Sequence, residues 1–371
     1  MRLLFLVVAF ALSACNASGG AFAGSDSAHQ PFKAIPLAQF NEPWAMTFIP
    51  DGRLLVTEKK GALRILNKDG TAGVITGTPR VAYGGQGGFG DVVLHPGFAR
   101  NGLVYLSWAE PGSNGTKGAA VGRGRLMLEG NGGRIDGLQV IWRQEPKVTG
   151  DVHYSHRLAF SPDGYLFITS GERFKFTPAQ SLATNLGKIV RLTDSGAVPP
   201  DNPFHDKGGI AAQIWTLGHR NGLGLAFDGG GRLWEVEMGP RGGDELNLIQ
   251  RGKNYGWPVV SNGDNYDGSP IPDHPTHPEF EAPKVWWNPS VSPASLMIYS
   301  GNLFPQWRGS AFIGCLSGQA LIRVALDGSN ARKADQWDMG ARIREVEQGP
   351  EGAIYVLEDG SDGRLLKLTP K

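Results

Sequence analysis

The stretch FSPDGYLFI, residues 160–168, carries the pattern that decides the fold: an aromatic residue, a Pro-Asp-Gly turn and an apolar strand. Proline and glycine at these positions suit a tight turn, and the aromatic and β-branched residues that follow favour a strand. The same pattern recurs at 48–56, 227–234 and 349–356, and in weaker form at 94–106 and 307–313. Six copies of one strand-turn-strand signature therefore follow one another along the chain.

The spacing of these copies predicts the architecture. They lie roughly 45 to 85 residues apart, which leaves room for a four-stranded blade and its loops in each copy. With 54 glycines and 25 prolines, the composition also suits short strands and turns better than packed helices. We expect an all-β protein, a six-bladed β-propeller with four-stranded blades. A sandwich or a β-helix is the alternative, but a β-helix has a much shorter period.

The same reading predicts one propeller domain over residues 32–371, because no polar linker divides the chain. The apolar run 365–368 is expected to pair with a strand within 32–37 and so to close the ring. The irregular stretch 261–283, rich in Asp, Pro, Gly and His, is expected to be an insertion between blades.

Residues 1–24 are predicted to be a signal peptide and tether, outside the fold. Arg2 and the apolar run 3–12 are typical of a secretory signal and too short to span a bilayer. The sequence LSAC, ending at Cys15, resembles a bacterial lipobox. We therefore expect a periplasmic protein whose membrane attachment is a lipid on Cys15 at the outer membrane. Ordinary cleavage after residues 21–23 is the alternative and leaves the protein soluble in the periplasm.

The charge of the chain excludes some classes of partner. It has 36 Lys and Arg against 35 Asp and Glu, a net charge of +1, so nothing electrostatic favours nucleic acid or a broad anionic membrane surface. A small molecule is the expected partner. Cys315 is the one cysteine left in the predicted domain, so we expect no internal disulfide and a buried, apolar role for it.

Residues 218–258 place several chemically useful groups around one predicted hairpin. Arg220 and Asn221 lie between two short apolar runs, and thus at a strand end, where side chains can enter a shared cleft. The glycine-rich turn 238–243 then exposes backbone carbonyls close to the carboxylate of Glu245. Carbonyl and carboxylate oxygens at one turn are the ligands that calcium requires.

Two further segments add an anion site. Arg342 and Arg344 are two apart on a predicted strand, so alternation puts both guanidinium groups on one side. Together with Arg220 they suggest a ligand with several carboxylates, although an isolated RxR is also common on a surface. The glycine-rich turn 84–91 lacks the lysine and the helix of a phosphate-binding loop, and Gln86 is the one polar side chain among its glycines.

A third segment offers an acid–base pair. His153 and His156 are three apart, so on an extended chain they point to opposite faces, which argues against a metal pair. Glu172, at the far end of the next strand, can orient a histidine through a charge-assisted hydrogen bond. The alternative is a surface ion pair between Glu172 and Arg173.

Taken together, six segments in collinear order between Trp44 and Thr369 resemble the soluble aldose sugar dehydrogenases, relatives of soluble glucose dehydrogenase. They are GGQGGFGDVVLHPGF (84–98), HYSHRLAFSPDGYLF (153–167), LGKIVRLTDSGAVPPDNPF (186–204), GHRNGLGLAF (218–227), MGPRGGDELNLIQRGKNYGWP (238–258) and RIREVEQGPEGAIYVLED (342–359). That family consists of six-bladed propellers that use pyrroloquinoline quinone (PQQ) and calcium. The resemblance implies oxidation of aldose mono- or oligosaccharides at C1 to lactones, by hydride transfer to PQQ, with an electron acceptor that the sequence does not identify.

The resemblance also implies roles for individual residues. His153 is implied as the general base for the anomeric hydroxyl, Glu172 as the carboxylate beside it, and Arg220 as the group that polarises the reacting carbonyl. Contacts to PQQ are implied for Gln86, Arg220, Asn221, Arg342 and Arg344. Calcium is implied at the carbonyls of Gly239 and Pro240, and a second, structural calcium at Glu245 and Tyr255.

The chain departs from the family pattern at two positions. Ser317 supplies only a hydroxyl where the family commonly has a lysine that pairs with a PQQ carboxylate, so we expect Arg241 or Arg323 to compensate or PQQ to bind less tightly. His156 stands where relatives usually have glycine. It is expected to narrow the pocket or to perturb the pKa of His153 by like-charge repulsion.

Two other functions fit an all-β propeller. A calcium-dependent propeller lactonase hydrolyses rings without a quinone, but such sites present several acidic and amide ligands rather than converging arginines. A non-enzymatic binding module at the cell surface is the second alternative.

Overall fold

The computed structural model of the protein describes residues 30–371. The predicted signal peptide, tether and lipobox cysteine Cys15 lie outside the described residues. Residues 30–371 form 26 β-strands, one four-residue helix, α1 (Phe98–Asn101), and several single 3-10 turns. No helix in this part of the chain is long and apolar enough to cross a membrane. The predicted all-β class is confirmed.

One eight-stranded sheet contains two antiparallel four-stranded meanders. The first meander consists of β2 (Pro43–Phe48), β3 (Leu54–Glu58), β4 (Leu63–Leu66) and β5 (Ala72–Thr76). The second consists of β6 (Phe89–Leu94), β7 (Leu103–Pro111), β8 (Lys117–Glu129) and β9 (Gly132–Arg143). Two parallel pairs between β5 and β9, at Ile75 and Thr76, join the two meanders.

Three more four-stranded antiparallel sheets follow in chain order. The first consists of β10 (Ser155–Phe160), β11 (Leu166–Ser170), β12 (Lys188–Leu192) and β13 (Ile214–Leu217). The second consists of β14 (Gly222–Phe227), β15 (Leu233–Glu237), β17 (Asp244–Ile249) and β19 (Val285–Trp287). The third consists of β20 (Pro293–Ile298), β21 (Ala311–Cys315), β22 (Ala320–Asp327) and β23 (Asn330–Asp338).

The last sheet combines the two ends of the described chain. Its strands are β24 (Ile343–Gln348), β25 (Ile354–Glu358), β26 (Gly363–Pro370) and β1 (Phe32–Phe40). Strand β1 runs antiparallel to β26, with Ile35 opposite Lys367 and Pro36 opposite Leu366. The pairing predicted between the first and last apolar runs is therefore present.

Each copy of the sequence signature connects the first and second strands of one four-stranded set, from β2–β3 to β24–β25. The irregular stretch 261–283 differs from its prediction, because it lies between β17 and β19 of one sheet rather than between sheets. It contains the two-residue strand β18 (Gly263–Asp264), which pairs with β16 (Arg241–Gly242). The insertion is thereby held against the glycine-rich turn 238–243.

The first strands of the six sets, called here the inner strands, are β2, β6, β10, β14, β20 and β24. Each contacts the next in this order, and β24 contacts β2, so they form a closed ring. The register of each inner strand against its second strand shifts near the strand's beginning, which marks a bulge. A bulge leaves residues outside the ladder and bends the strand.

Apolar side chains fill the space between neighbouring sheets. One cluster joins the last two sheets and contains Phe32, Tyr299, Trp307 and Trp337. Cys315 is buried in the adjacent cluster and forms no disulfide, in agreement with its predicted role.

Candidate active site

The bulges of four inner strands, β2, β10, β14 and β24, contribute side chains to a cavity of about 200 Å³ at one end of the ring. The residues that lie in the bulges are Trp44, Gly90, Asp91, His156, Arg157, Leu223, Ala294 and Arg344. Four of them, Trp44, His156, Leu223 and Arg344, line the cavity. Its other polar or charged walls include Lys59, Gln86, Asn221, Arg342 and Asp359.

Arg342 and Arg344 converge, as predicted. Both bind the carboxylate of Asp359, Arg342 through Nε at 2.8 Å and Arg344 through Nε and Nη2 at 3.0 and 2.9 Å. Asp359 is largely buried, yet the two guanidinium groups hold its pKa below the ordinary value. Two cations on one carboxylate leave a net positive charge at this wall.

Ser317 does not line the cavity. Its hydroxyl lies 2.7 Å from that of Ser292, on an exposed turn. Arg323 on β22, one expected substitute for the missing lysine, instead binds Asp335 and Ser310. Arg241, the other, is exposed on β16.

Lys59 supplies the third positive charge of the cavity, and the sequence reasoning missed it. Its ammonium donates to the carbonyl of Gly85 at 3.1 Å. Partial burial, and then the charge of Arg344, lower its pKa from the ordinary value. Lys59 directly follows β3 and is next to a second lysine in the sequence. Nothing in this stretch of sequence distinguishes it from a solvated surface residue.

His153 and Glu172 form a buried pair. The Nδ1 atom of His153 lies 2.5 Å from Oε1 of Glu172, and the other carboxylate oxygen accepts from the backbone N–H of Lys175 and Phe176. Burial lowers the pKa of His153, and the hydrogen bond to Glu172 opposes that shift. With Nδ1 directed at Glu172, Nε2 is the nitrogen that can accept a proton.

Arg173 is not the partner of Glu172. Its guanidinium donates to the backbone carbonyls of Val152, Lys117 and Gly150, and it stacks on Tyr154 at 3.7 Å. The alternative reading of Glu172 as half of a surface ion pair is therefore wrong. Arg173 instead ties down the loop that carries His153.

The segment from His153 to His156 is not extended, because His153, Ser155 and His156 have positive φ, so the prediction of opposite faces does not apply to it. His156 has partners of its own. Its Nδ1 is 2.8 Å from the hydroxyl of Ser107, and its ring stacks on Trp44 with centroids 5.1 Å apart. Complete burial lowers its pKa to about 3. A neutral imidazole exerts no like-charge repulsion, so the expected effect on His153 through charge is absent, while the expected narrowing of the pocket is present.

Gln86 and Asn221 connect the cavity to the segment that carries His153 and Ser155. The side-chain oxygen of Gln86 accepts from the backbone N–H of His153 at 2.7 Å. The side-chain oxygen of Asn221 accepts from the hydroxyl of Ser155 at 3.1 Å. The backbone N–H groups of Arg220 and Asn221 are in turn held by Glu237. Glu237 therefore positions Arg220 and Asn221, and after Lys59 it is a second residue of the site that the sequence reasoning missed.

Arg220 reaches the turn where calcium is implied. Its Nη1 donates to the carbonyls of Met238 and Gly239 at 3.1 and 2.8 Å, and its Nη2 donates to the Tyr266 hydroxyl at 3.1 Å. Its buried Nε has no hydrogen-bond partner in the described structure. Pro240 lines the neighbouring cleft. A cation bound by the Gly239 carbonyl would replace its bond to Arg220.

A buried acidic group lies below this turn. His219, Glu235 and Glu237 bring ligand atoms within 4.8 Å of one another. Glu245 stands opposite Glu237 on the paired strand, and Asn247 donates to the carboxylates of all three glutamates. Burial raises the pKa of Glu235 and of Glu245 above the ordinary value.

The oxygens of this group have the chemistry of a calcium site. Oε1 of Glu235 and Oδ1 of Asn247 are buried without a hydrogen-bond donor among the described residues. The Tyr255 hydroxyl is already hydrogen-bonded as both donor and acceptor. It donates to the carbonyl of Leu248 at 2.6 Å and accepts from the N–H of Gln250. Any contribution of Tyr255 to a cation would therefore come from its backbone carbonyl.

An aromatic cleft of about 440 Å³ adjoins His153. Its walls include Phe174, Phe176, Trp257 and Tyr266, and Arg220 also lines it. The rings of Phe174 and His153 meet edge to face at 5.4 Å, so the cleft begins beside the imidazole. Tyr266 belongs to the insertion 261–283, which thus forms one side of the cleft.

Comparison with known proteins decides the family. Residues 40–367 match the family described as glucose/sorbosone dehydrogenase. The chain belongs to the glucose/sorbosone dehydrogenase family. Among curated relatives of this family, the aldose sugar dehydrogenase YliI of Escherichia coli K12 is 40% identical over 340 residues, which is 90% of this chain and 91% of the relative.

Solved structures of the dehydrogenase family show the same fold. A glucose dehydrogenase crystal structure is 44% identical, with a TM-score of 0.88 over 91% of this chain and all of the other. The PQQ-bound form of an aldose sugar dehydrogenase from Streptomyces coelicolor is 26% identical, with a TM-score of 0.77 over 92% and 98% of the two chains. These relatives favour neither the lactonase nor the binding-module alternative.

Proposed function

We propose that the protein is a PQQ-dependent aldose sugar dehydrogenase that oxidises the anomeric carbon of its substrate to a lactone. The observation that carries the proposal is the cationic cavity of Lys59, Arg342 and Arg344 beside the His153–Glu172 pair. A cationic cavity suits a flat polyanion, and a buried histidine–carboxylate pair suits proton transfer from a hydroxyl. Neither feature alone would distinguish this function.

The residues around the cavity fit PQQ, which carries three carboxylates. Three cations face it, and Asp359 compensates them only in part. Arg342, Arg344, Gln86 and Asn221 line the cavity, so they are the contacts that we propose for the cofactor. We propose Lys59 in place of Ser317 as the ammonium partner of a carboxylate, because Ser317 lies outside the wall.

PQQ, when bound, supplies the hydride acceptor for C1. His153 takes the proton of the C1 hydroxyl at Nε2, while its Nδ1–H donates to Glu172. The carboxylate stabilises the imidazolium that forms and fixes the ring orientation. Arg220, whose buried Nε is unpartnered, is the group that we propose would polarise the PQQ carbonyl at the hydride-accepting position. The substrate loses one hydride and one proton and becomes the lactone.

The sugar is proposed to enter through the aromatic cleft. Phe174 is 43% and Tyr266 62% exposed, which is high for side chains of this size. Exposed aromatic faces pack well against the C–H faces of a sugar ring, and the cleft is wide enough for an aldose or a short oligosaccharide. Its position beside His153 places such a ring next to the base.

Calcium is proposed at two places. The first uses the carbonyls of Gly239 and Pro240, and the second uses Glu245 and the backbone carbonyl of Tyr255, with Glu237 as a further carboxylate. The unpartnered buried oxygens of Glu235 and Asn247 support a cation in the second place, because buried polar atoms are rarely left without a partner.

The fold is proposed to be a single six-bladed propeller domain over residues 32–371. The closed ring of inner strands and the six strand sets support this count, with the eight-stranded sheet taken as two blades.

Export to the periplasm, with a lipid on Cys15 at the outer membrane, is proposed from the sequence of residues 1–24. Fractionation of cells that express wild type and Cys15→Ser tests it, and equal membrane association would contradict it.

The function is tested by reconstitution. Protein purified without cofactor should gain dye-linked oxidation of aldoses when PQQ and calcium are added. His153→Ala should lose roughly 10²–10⁴-fold in kcat, the usual contribution of a general base, while it still binds PQQ. Sugar oxidation that does not depend on PQQ, or full activity of His153→Ala, would contradict the proposal.

A further inference from the structure

Arg157 lies at the centre of the ring and touches all six inner strands. It belongs to β10, its Nε donates to the carbonyl of Leu223 on β14 at 2.6 Å, and its Nη2 donates to the carbonyl of Ala294 on β20 at 2.7 Å. Its Nη1 lies 3.5 Å from Oδ1 of Asp91 on β6 and contacts Glu345 on β24. Its guanidinium stacks over Trp44 of β2 at 4.1 Å.

These partners are bulge residues or their neighbours. Leu223 and Ala294 lie outside the regular ladder of their strands, so their carbonyls point into the ring. A buried carbonyl without a donor destabilises the fold, and Arg157 supplies the donors. One planar fork with five N–H groups reaches both carbonyls and both acids, a geometry that the single ammonium of lysine does not reproduce.

The same residues form the wall of the cofactor cavity. Trp44 and Leu223 line it, and both contact Arg157. His156, the residue before Arg157, also lines it and stacks on Trp44. Movement of the Arg157 guanidinium would therefore displace the cavity wall at positions contributed by three different sheets.

We propose that Arg157 is a positioning residue for the cofactor: by clamping the bulges of the inner strands from inside the ring, it sets the width of the cavity in which PQQ binds. This inference rests on the proposed function. Arg157 itself is not in the cavity wall, so it acts through Trp44, His156 and Leu223.

Arg157→Lys separates the shape of the fork from its charge, because the positive charge beside Asp91 and Glu345 remains. The matched control is Arg191→Lys. Arg191 is as buried as Arg157, stacks on Tyr165 and Trp215, and binds Asn202, but it lies on the third strand of its sheet, away from the cavity. Both variants lose a buried, stacked guanidinium.

The measurement is the PQQ dissociation constant of purified protein with calcium, followed by tryptophan fluorescence, beside the thermal unfolding midpoint. Arg157→Lys should raise the dissociation constant about tenfold or more, and Arg191→Lys should leave it within about twofold at a similar loss of unfolding temperature. A folded Arg157→Lys protein that binds PQQ as wild type does would overturn the inference.

Two further arms keep the test decisive. If Arg157→Lys does not fold, Glu345→Gln removes one partner of the clamp at nearly constant shape, and a dissociation constant unchanged from wild type would then count against the clamp. If wild type itself binds no PQQ, the proposed function fails instead. In that case hydrogen exchange of the β14 and β20 amides tests the clamp separately from the function. Arg157→Lys should speed this exchange, and Arg191→Lys should not.

Discussion

At the scale of single residues, the strongest chemical feature is the balance of forces on His153. Burial favours the neutral imidazole, whereas the Glu172 carboxylate favours the protonated one. A general base must be neutral before it acts and charged afterwards. The site meets both needs with one hydrogen bond, because that bond fixes the neutral tautomer and then stabilises the imidazolium.

Glu172→Gln should therefore change both rate and pH dependence. The base works only when deprotonated, so kcat/KM falls as pH drops through the His153 pKa. Loss of the carboxylate lowers that pKa further, and the acid limb of the profile should move to lower pH, while kcat falls by less than the roughly 10²–10⁴-fold that a general base itself contributes. Glu110→Gln, which loses an outer pair with Arg143 and Lys147, is the control. An acid limb that stays in place would show that Glu172 does not act on His153.

At the scale of elements, the bulges explain which site residues sequence reasoning could find. The predicted convergence of Arg342 and Arg344 is present at Asp359, although Arg342 precedes β24 and Arg344 lies in its bulge, so regular alternation is not the cause. The bulge at Arg344 also turns the next residue, Glu345, into the ring, which strict alternation does not allow. Trp44 was missed for the same reason, because a bulge depends on the partner strand and has no signature in its own residues.

One bulge contains a steric match that can be tested. A Cβ on Gly90 would lie 1.9 Å from Cε1 of His156, so the glycine of β6 makes room for the histidine of β10. Gly90→Ala should cost about 1–3 kcal/mol of unfolding free energy, the usual cost of overpacking. In a His156→Gly background the same change should cost much less, because only the Ser107 hydroxyl, 2.9 Å from the added Cβ, then remains close.

Gly229→Ala is the control for this cycle, because a Cβ there meets no atom within 4 Å. Chemical denaturation of the four proteins in the cycle measures the coupling between the two positions. Additive effects of Gly90→Ala and His156→Gly would show that the two positions are not matched.

At the scale of the whole molecule, the fold was largely predictable because its signal is local and repeated. The turn after Phe48 and its five relatives each join two adjacent strands, so turn chemistry alone located six hairpins. The third and fourth strands have no such turn, and the insertion 261–283 was accordingly assigned to the wrong place. Lys59 and Asp359 could not be assigned to the site from the sequence, because closure of the ring brings them together from distant parts of the chain.

The contribution of that closure can be measured at Phe32. Its buried ring packs edge-on against Trp307 and Trp337. Phe32→Ala should cost about 3–5 kcal/mol, as expected for a buried aromatic residue. Leu37→Ala, on the same strand but 43% exposed, should change stability little. Equal losses in the two variants would mean that β1 stabilises the ring through its backbone alone.

The pairing of β1 with β26 also has a consequence for how the chain is made. Phe32 and its opposite residue, Pro370, are separated by nearly the whole described chain, so β1 has no partner until β26 has been made. Until then the nascent chain carries unsatisfied strand edges, the kind of surface on which chains adhere to one another. A chain in which β26 is missing or still unfolded therefore has an open ring with two unpaired strand edges, and those edges favour aggregation over closure of the fold.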